Sequence, residues 1–377
     1  MSVYDLLKQW SVKKYKLITI QDLEDITMGS TILATGGGGD PDIGLLWARH
    51  ILEDQNEIVL IDPEDVPDDE LVAFVGTLGA PLVLTEKPPG GDEVFESLKA
   101  ISNYLGQKVN AIIPAEAGGV NTIIPLAVAG ALGLPVIDAD GMGRAFPELH
   151  MTSFYIGGAK PSPVAAANEK GHVTIVDSDS GEVSERIIRS AAMAFGGISW
   201  TAGYPMNGKL MKKTSIHHTV TAAWEIGKIV RENREKNREP IHEIAEFTNG
   251  TIAFKGKVVD IARDFGSEMT QGFSSGTISM EGIDDYAGST AKVYFQNEWL
   301  HLTVDGQTLS LPPDLIIIMD PETGEAIRTD IIKYGYRGYI LLTPADRKLT
   351  TKKGIEVCGP RAFGIDHDYI PYKTLNK

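Results

Sequence analysis

Residues 111–140 constrain the fold most. "AIIPA" (111–115) reads as a short buried strand, and "LPVIDAD" (134–140) as another. Between them "NTIIPLAVAGALG" (121–133) has helical character, with Asn121 in the capping position, Pro125 in the first turn and Gly133 at the end. Strand, helix and strand within about 30 residues is a βαβ unit, which requires parallel strands and a sheet covered by helices.

The surrounding sequence extends this unit. "IVLID" (58–62) and "LVAFVGT" (71–77) are further apolar, β-branched strand runs. Residues 90–106 place Val94, Leu98, Ile101 and Leu105 on one helical face. From about residue 240 the pattern changes to strand-like runs broken by Gly, Pro and Asp. These are "GTIAFKGKVVDIARDF", "AKVYFQNEWLHLTV", "LIIIMD" and "RGYILLTPAD", with no long helix between them. The expected architecture is therefore an α/β domain over residues 1–240 with a parallel or mixed sheet, followed by a β-rich domain over 241–377. Residues 219–240 form a linking helix, and the final segment has the option of returning to the first domain.

A chain of 377 residues is long enough for two such domains. Its 42% apolar and 23% charged content is typical of a soluble globular protein, and no run of 18 apolar residues is present to span a membrane. The N-terminus lacks the apolar core of a secretory signal, and the single cysteine, Cys358, cannot form an internal disulfide, so a cytoplasmic location is expected. A net charge of −16 argues against nucleic acid or an anionic membrane as partner.

The segment "ILATGGGGDPDIG" (32–44) tests for a nucleotide site and fails. Neither register of its glycines completes Gly-x-Gly-x-x-Gly, and no Gly-Lys-Ser/Thr follows. The preceding residues have helical spacing, so Gly36 or Gly37 should end one helix in a left-handed conformation. Asp40 and Pro41 should open the next helix. Two carboxylates, Asp40 and Asp42, would already occupy the positive helix end where a phosphate would sit. The turn thus suits a neutral or cationic ligand approaching the backbone of Gly37, Gly38 and Gly39, and no nucleotide is expected.

Acids at strand ends are the stronger chemical signal. Glu116 follows one strand in a loop containing Gly118 and Gly119, while Asp138 and Asp140 end the next. Parallel strands bring these ends to one sheet edge, where open α/β sheets place ligands. Crowded carboxylates there should raise at least one pKa, as a general acid or base needs. The same acids with His150 would provide oxygen and nitrogen ligands for a divalent metal, although no established ligand spacing accompanies them. Arg144 is the natural clamp for a substrate carboxylate, and Lys209 and His217 add a cation and a proton donor.

"TGGGGDPDIG", "PAEAGGVNT" and "GLPVIDADGMGRAFPELHM", in this order, resemble the DUF917 or S-methyl thiohydantoin desulfurase family, which is associated with hydantoinase/oxoprolinase proteins. The resemblance covers nearly the whole chain. It implies hydrolytic removal of sulfur, as a thiol, from carbon 2 of a thiohydantoin such as S-methyl thiohydantoin propionate, giving a hydantoin. Under that implication Glu116 or Asp138 activates water, and Asp140 or His217 protonates the leaving thiol. Glycine N–H groups of residues 36–39 or 118–119 hold the ring carbonyls, Arg144 or Lys209 holds the arm, and Asp40 and Asn121 are further substrate-binding candidates. A bound divalent metal could replace the general base. The alternatives are a cyclic amide hydrolase or isomerase using the same acids, or a non-catalytic partner of a hydantoinase-like subunit. A homo-oligomer is the default expectation.

Overall fold

The computed structural model describes residues 2–53, 56–87, 92–264 and 275–375, so residues 90, 91 and 265 of the runs above lie outside the described residues. An eight-stranded mixed sheet forms the first part. Its spatial order is Tyr15–Leu17, Val59–Ile61, Val136–Ile137, Ala111–Ile113, Leu71–Gly79, Ile198–Asn207, Val164–Ala167 and Val173–Val176. The second to fifth of these are parallel, and the flanking pairs are antiparallel. The βαβ unit is present, with helix Val120–Leu132 between its strands and Gly133 closing that helix in a left-handed conformation.

The start of this helix differs from the capping expected at Asn121. It begins at Val120 after Gly119, without a side-chain cap, and Pro125 falls in its second turn. Backbone carbonyls do the capping instead. The Gly119 N–H donates to the Ser30 carbonyl (3.1 Å) and the Val120 N–H to the Gly38 carbonyl (2.9 Å). With those donors satisfied, the Asn121 side chain is available for other partners.

The glycine segment joins helix Ile20–Leu33 to helix Pro41–Glu53, as its flanks predict. The left-handed turn opens one residue earlier than expected, at Thr35 (φ 51°), and continues through Gly36 (φ 86°). Helix Ile20–Leu33 lies against helix Thr219–Glu235, the linking helix of the sequence pattern, which stops short of residue 240. Small residues allow the close crossing. A Cβ on Gly29 would lie 1.8 Å from the Ala223 carbonyl oxygen, and one on Gly227 would lie 1.8 Å from that of Asp25. Beside this crossing Arg231 grips the buried Asp25 carboxylate with two hydrogen bonds of 2.9 and 3.0 Å.

A seven-stranded antiparallel sheet forms the second part. Its order is Gln307–Ser310, Glu298–Val304, Thr290–Gln296, Ser275–Gly282, Thr251–Asp264, Arg337–Thr343 and Leu315–Met319. The sheet curls, bringing Glu298–Val304 against Leu315–Met319. Strand Leu315–Met319 is buried on both faces, which explains its unbroken apolar sequence. Leu315, Ile317 and Met319 join the α/β core, whereas Ile316 and Ile318 join Phe254, Phe295 and Trp299 inside the curled sheet. The chain then returns to the first part, where Leu349, Cys358 and Phe363 pack with Met142, Phe146 and Met151. Among the described residues no helix is long and apolar enough to cross a membrane.

Overpacking a tight crossing typically destabilises by about 1–3 kcal/mol. Gly227→Val is expected to lower the unfolding free energy by about 2 kcal/mol or more in a denaturant titration. Lys228→Ala, beside it on the exposed face, should change it by no more than about 0.5 kcal/mol.

Candidate active site

The parallel strands end on one edge, and a pocket opens there. Its polar lining comprises Gly38, Gly39, Thr77, Glu116, Asn121, Glu148, Arg189, Asn297 and Glu298. Phe74, Leu84, Phe146, Leu149 and Ile198 supply apolar walls. This mixture of polar groups and apolar walls suits a small ring compound.

Glu116 follows strand Ala111–Ile113 and is buried. One oxygen accepts a 2.8 Å hydrogen bond from the Asn121 amide, and the other has no well-aligned donor. Asn121 is itself locked. Its carbonyl oxygen accepts from the Thr77 N–H (2.7 Å) and hydroxyl (3.1 Å), and its amide also donates to the Thr77 carbonyl (3.2 Å). Asn121 from the following helix and Thr77 from the neighbouring strand thus hold the Glu116 carboxyl at the strand ends. Burial, with the charge of Glu298 adding to it, pushes the Glu116 pKa up to about 8.

Glu298 comes from the second sheet. The strands Thr290–Gln296 and Glu298–Val304 pair Gln296 with Glu298 across Asn297, which turns with φ 63°. Asn tolerates that conformation better than most residues, and its amide donates to Glu298 (2.5 Å). The hairpin inserts Glu298 against the glycine turn, where a Cβ on Gly37 would lie 2.2 Å from the Glu298 carboxyl oxygen. Burial raises Glu298 to about 7, with Arg144 pulling the other way. Two buried carboxyls with pKa values near neutrality therefore line one pocket. Of the expected crowd of Glu116, Asp138 and Asp140 only Glu116 lines the pocket, and desolvation rather than repulsion dominates its shift.

Several residues chosen from the sequence serve elsewhere. Arg144 cannot clamp a substrate, because it is fully buried and its guanidinium donates to the Thr35 hydroxyl and to the carbonyls of Ala145, Trp299, Pro313 and Asp314. Asp140 lies outside the pocket lining. Its Oδ2 accepts the N–H groups of Ala117 (2.6 Å), Met142 (3.0 Å) and Gly143 (2.7 Å), pinning the loop after Glu116, and burial raises it to about 7. Asp138 caps helix Thr219–Glu235 through the Thr221 N–H (2.9 Å) and hydroxyl (2.6 Å). His217 bonds the Lys212 carbonyl (2.9 Å), and Lys209 is exposed on helix Gly208–Thr214, so neither lines the pocket. Asp40 accepts from the Asp42 N–H (3.1 Å) and faces Arg328 (3.6 Å). Gly118 and Gly119 pack on Ala145 and Gly38 rather than lining the pocket.

The four metal-ligand candidates do not converge, since Asp138 and Asp140 are committed to backbone donors and His150 sits beside Glu148 (3.4 Å). Among the described residues no group of three or more His, Cys, Asp or Glu side chains is arranged to hold a metal ion. Cys358 is buried, donates to the Gly354 carbonyl (3.1 Å), and has its thiol pushed up to about 12 by burial. Sequence reasoning missed Glu298, Asn297, Thr77 and Arg189 as pocket residues. The only signal for the first two was the polar Gln-Asn-Glu break inside an apolar strand run.

A two-sheet α/β protein with an acid pair at its strand ends is the class this arrangement defines. The chain belongs to the S-Me-THD-like family: its N-terminal domain model matches residues 21–178 and its C-terminal domain model residues 178–372. No curated protein matches it. A crystal structure of a protein from Chromobacterium violaceum is similar in fold, with a TM-score of 0.79 at 20% identity, covering 96% of this chain and 100% of that one.

Raised carboxyl pKa values make folding pH-dependent. Glu116 binds its proton more tightly folded (about 8) than at its ordinary value of 4.5, so its stabilising contribution is complete below pH 4.5 and lost as pH rises through 8. Glu116→Gln should therefore gain stability relative to the parent between pH 5 and pH 8, measured by denaturant midpoints at both pH values.

Proposed function

We propose that this protein is a hydrolase that removes sulfur, as a thiol, from carbon 2 of a thiohydantoin ring and leaves a hydantoin. The observation that carries the reading is the buried pair Glu116 and Glu298, with pKa values of about 8 and about 7, lining one pocket. The S-Me-THD-like family membership supports the same ring chemistry.

Carbon 2 of an S-methyl thiohydantoin is bonded to sulfur and doubly bonded to a ring nitrogen. In the proposed reaction the carboxylate of Glu298 takes a proton from water as the water oxygen bonds to carbon 2. The carbon–nitrogen π pair moves to nitrogen, which receives the proton of the neutral Glu116 carboxyl. The tetrahedral species then collapses. Glu116 takes the hydroxyl proton, the carbon–oxygen double bond forms, the carbon–sulfur bond breaks, and Glu298 returns its proton to sulfur. One water is consumed, a thiol and a hydantoin leave, and the pair regains its single shared proton. Nothing in this cycle requires a net proton from solvent, which suits carboxyls buried this deeply. The Gly38–Gly39 turn lines the same pocket and supplies close backbone approach to the ring. A ring-opening hydantoinase is the class of enzyme that would consume the product.

Purified protein given an S-methyl thiohydantoin should release thiol, followed with a thiol-reactive chromophore, with and without chelator. Glu116→Gln and Glu298→Gln should each lower kcat by about 10²–10⁴. Activity needs one carboxyl ionised and one protonated, so kcat/KM should peak between pH 7 and pH 8. Absence of thiol from folded protein would exclude the reaction. Full activity in both variants would instead remove the acid pair from the mechanism.

A further inference from the structure

Each carboxyl of the acid pair is held by one of its oxygens only. Glu116 Oε1 accepts the Asn121 amide (2.8 Å) and Glu298 Oε1 accepts the Asn297 amide (2.5 Å), while Oε2 of each is buried without a hydrogen-bond partner. The two residues are 6% and 1% exposed, both line the pocket, and their remaining oxygens do not bond one another. A buried polar atom without a partner is costly, so two of them in one pocket mark where a bound ligand completes the set. The rest of the lining favours a basic ligand over an anionic one. Its charged groups, among the described residues, are these two acids, Glu148 and Arg189, and Arg189 is engaged with the Glu185 carboxylate and the Pro147 carbonyl.

We infer that the pocket also accepts a cyclic amidine, the 2-amino-imidazolin-4-one ring, and removes the amino group from its carbon 2 as ammonia. The inference rests on the proposed reaction for the roles of the two acids and extends it to a different leaving group. The ligand follows from what the two oxygens offer. Glu116 has the higher pKa, so when the pair shares one proton Glu116 holds it. The Asn121 donor on Oε1 directs that proton to Oε2, which donates into the pocket, while Oε2 of the ionised Glu298 accepts. An amidine edge is the complement of this donor and acceptor, since its imine nitrogen accepts and its amino group donates. An S-methyl thioimidate has the imine acceptor but no hydrogen on sulfur, so at the same edge it leaves the Glu298 oxygen unpaired. A site that hydrogen-bonds a substrate N–H discriminates against the analogue lacking it. The chemistry balances as for sulfur. Glu298 takes a proton from water as its oxygen bonds to carbon 2, and the ring nitrogen takes the Glu116 proton. Glu116 then takes the hydroxyl proton as the carbonyl forms. The bond from carbon 2 to the amino nitrogen breaks, its electron pair stays on that nitrogen, and Glu298 returns its proton there. One water is consumed, and ammonia and a hydantoin leave.

The test gives the purified full chain 2-amino-imidazolin-4-one and, separately, the S-methyl thiohydantoin, following ammonia with a coupled dehydrogenase assay and thiol with a chromophore. Ammonia should be released from the amino ring, and Glu116→Gln and Glu298→Gln should each lower that kcat by about 10²–10⁴. Recognition is read without turnover in the Glu116→Gln protein, whose amide can donate where the carboxyl did. There calorimetry compares the amino ring with its 2-methyl analogue, which has the same shape and imine nitrogen but no donor. The amino ring should bind at least tenfold tighter. Thiol release without ammonia release would overturn the inference and leave the sulfur reaction standing. Ammonia release without thiol release would uphold the inference and remove the sulfur reaction. Release of neither from folded wild-type protein would overturn both. Equal affinity for the amino and methyl rings would overturn the assignment of the Glu298 oxygen to the amino group, and with it the inference.

Discussion

Arg144 is the joint on which the arrangement depends. A guanidinium without access to water normally demands a carboxylate partner, yet this one is satisfied by four backbone carbonyls and a hydroxyl drawn from both parts of the chain. It touches Thr35 at the start of the glycine turn, Trp299 in the hairpin that carries Glu298, and the Pro313–Asp314 loop that leads into strand Leu315–Met319. Burial lowers its pKa to about 10, so it still carries its charge at neutral pH. That charge also steadies Glu298, whose pKa would otherwise be pushed further upward by burial. One residue therefore links the two sheets and tunes half of the acid pair.

The glycine turn works as a point of close approach between the two parts. Its backbone accepts bonds from the second part, with the Trp299 N–H reaching the Thr35 carbonyl (2.8 Å) and the Thr329 N–H reaching that of Gly36 (2.9 Å). It also supplies the Gly38 carbonyl that caps the helix after Glu116. A side chain at Gly37 would displace the Glu298 carboxyl. The segment that most resembles a phosphate loop is thus a joint that lets a carboxyl from the second sheet reach the strand ends of the first.

Burial explains why the pair is chemically useful. Exposed acids repelling one another would shift modestly, but a carboxyl removed from water and given only one or two donors holds its proton into the neutral range. Asp140 is likewise raised to about 7, and differs in where it sits. It is equally buried and accepts three backbone N–H groups, and it stays outside the pocket as the pin that shapes the loop after Glu116. Proton-holding capacity alone does not identify the reacting groups; access to the pocket does.

The βαβ unit, the change to β-rich sequence after residue 240, the helix-to-helix role of the glycines and the placement of Glu116 at a strand end were all legible in the sequence. Each depends on local periodicity or on short-range rules for turns and strand direction. The function of Asn121 was not legible, because its side chain became available only when distant carbonyls of Ser30 and Gly38 capped its helix. Nor were Glu298 and Arg189, which lie 182 and 73 residues beyond Glu116 and enter the pocket through the packing of a hairpin and a helix against the first sheet's edge. Arg144 and Asp138 looked like site residues for the same reason: residue type and proximity in sequence say which groups can do chemistry, while hydrogen-bond partners decide which are already spent on structure. Strand direction placed the site at one edge from sequence alone. Which side chains face it was settled by contacts between segments that only the folded chain brings together.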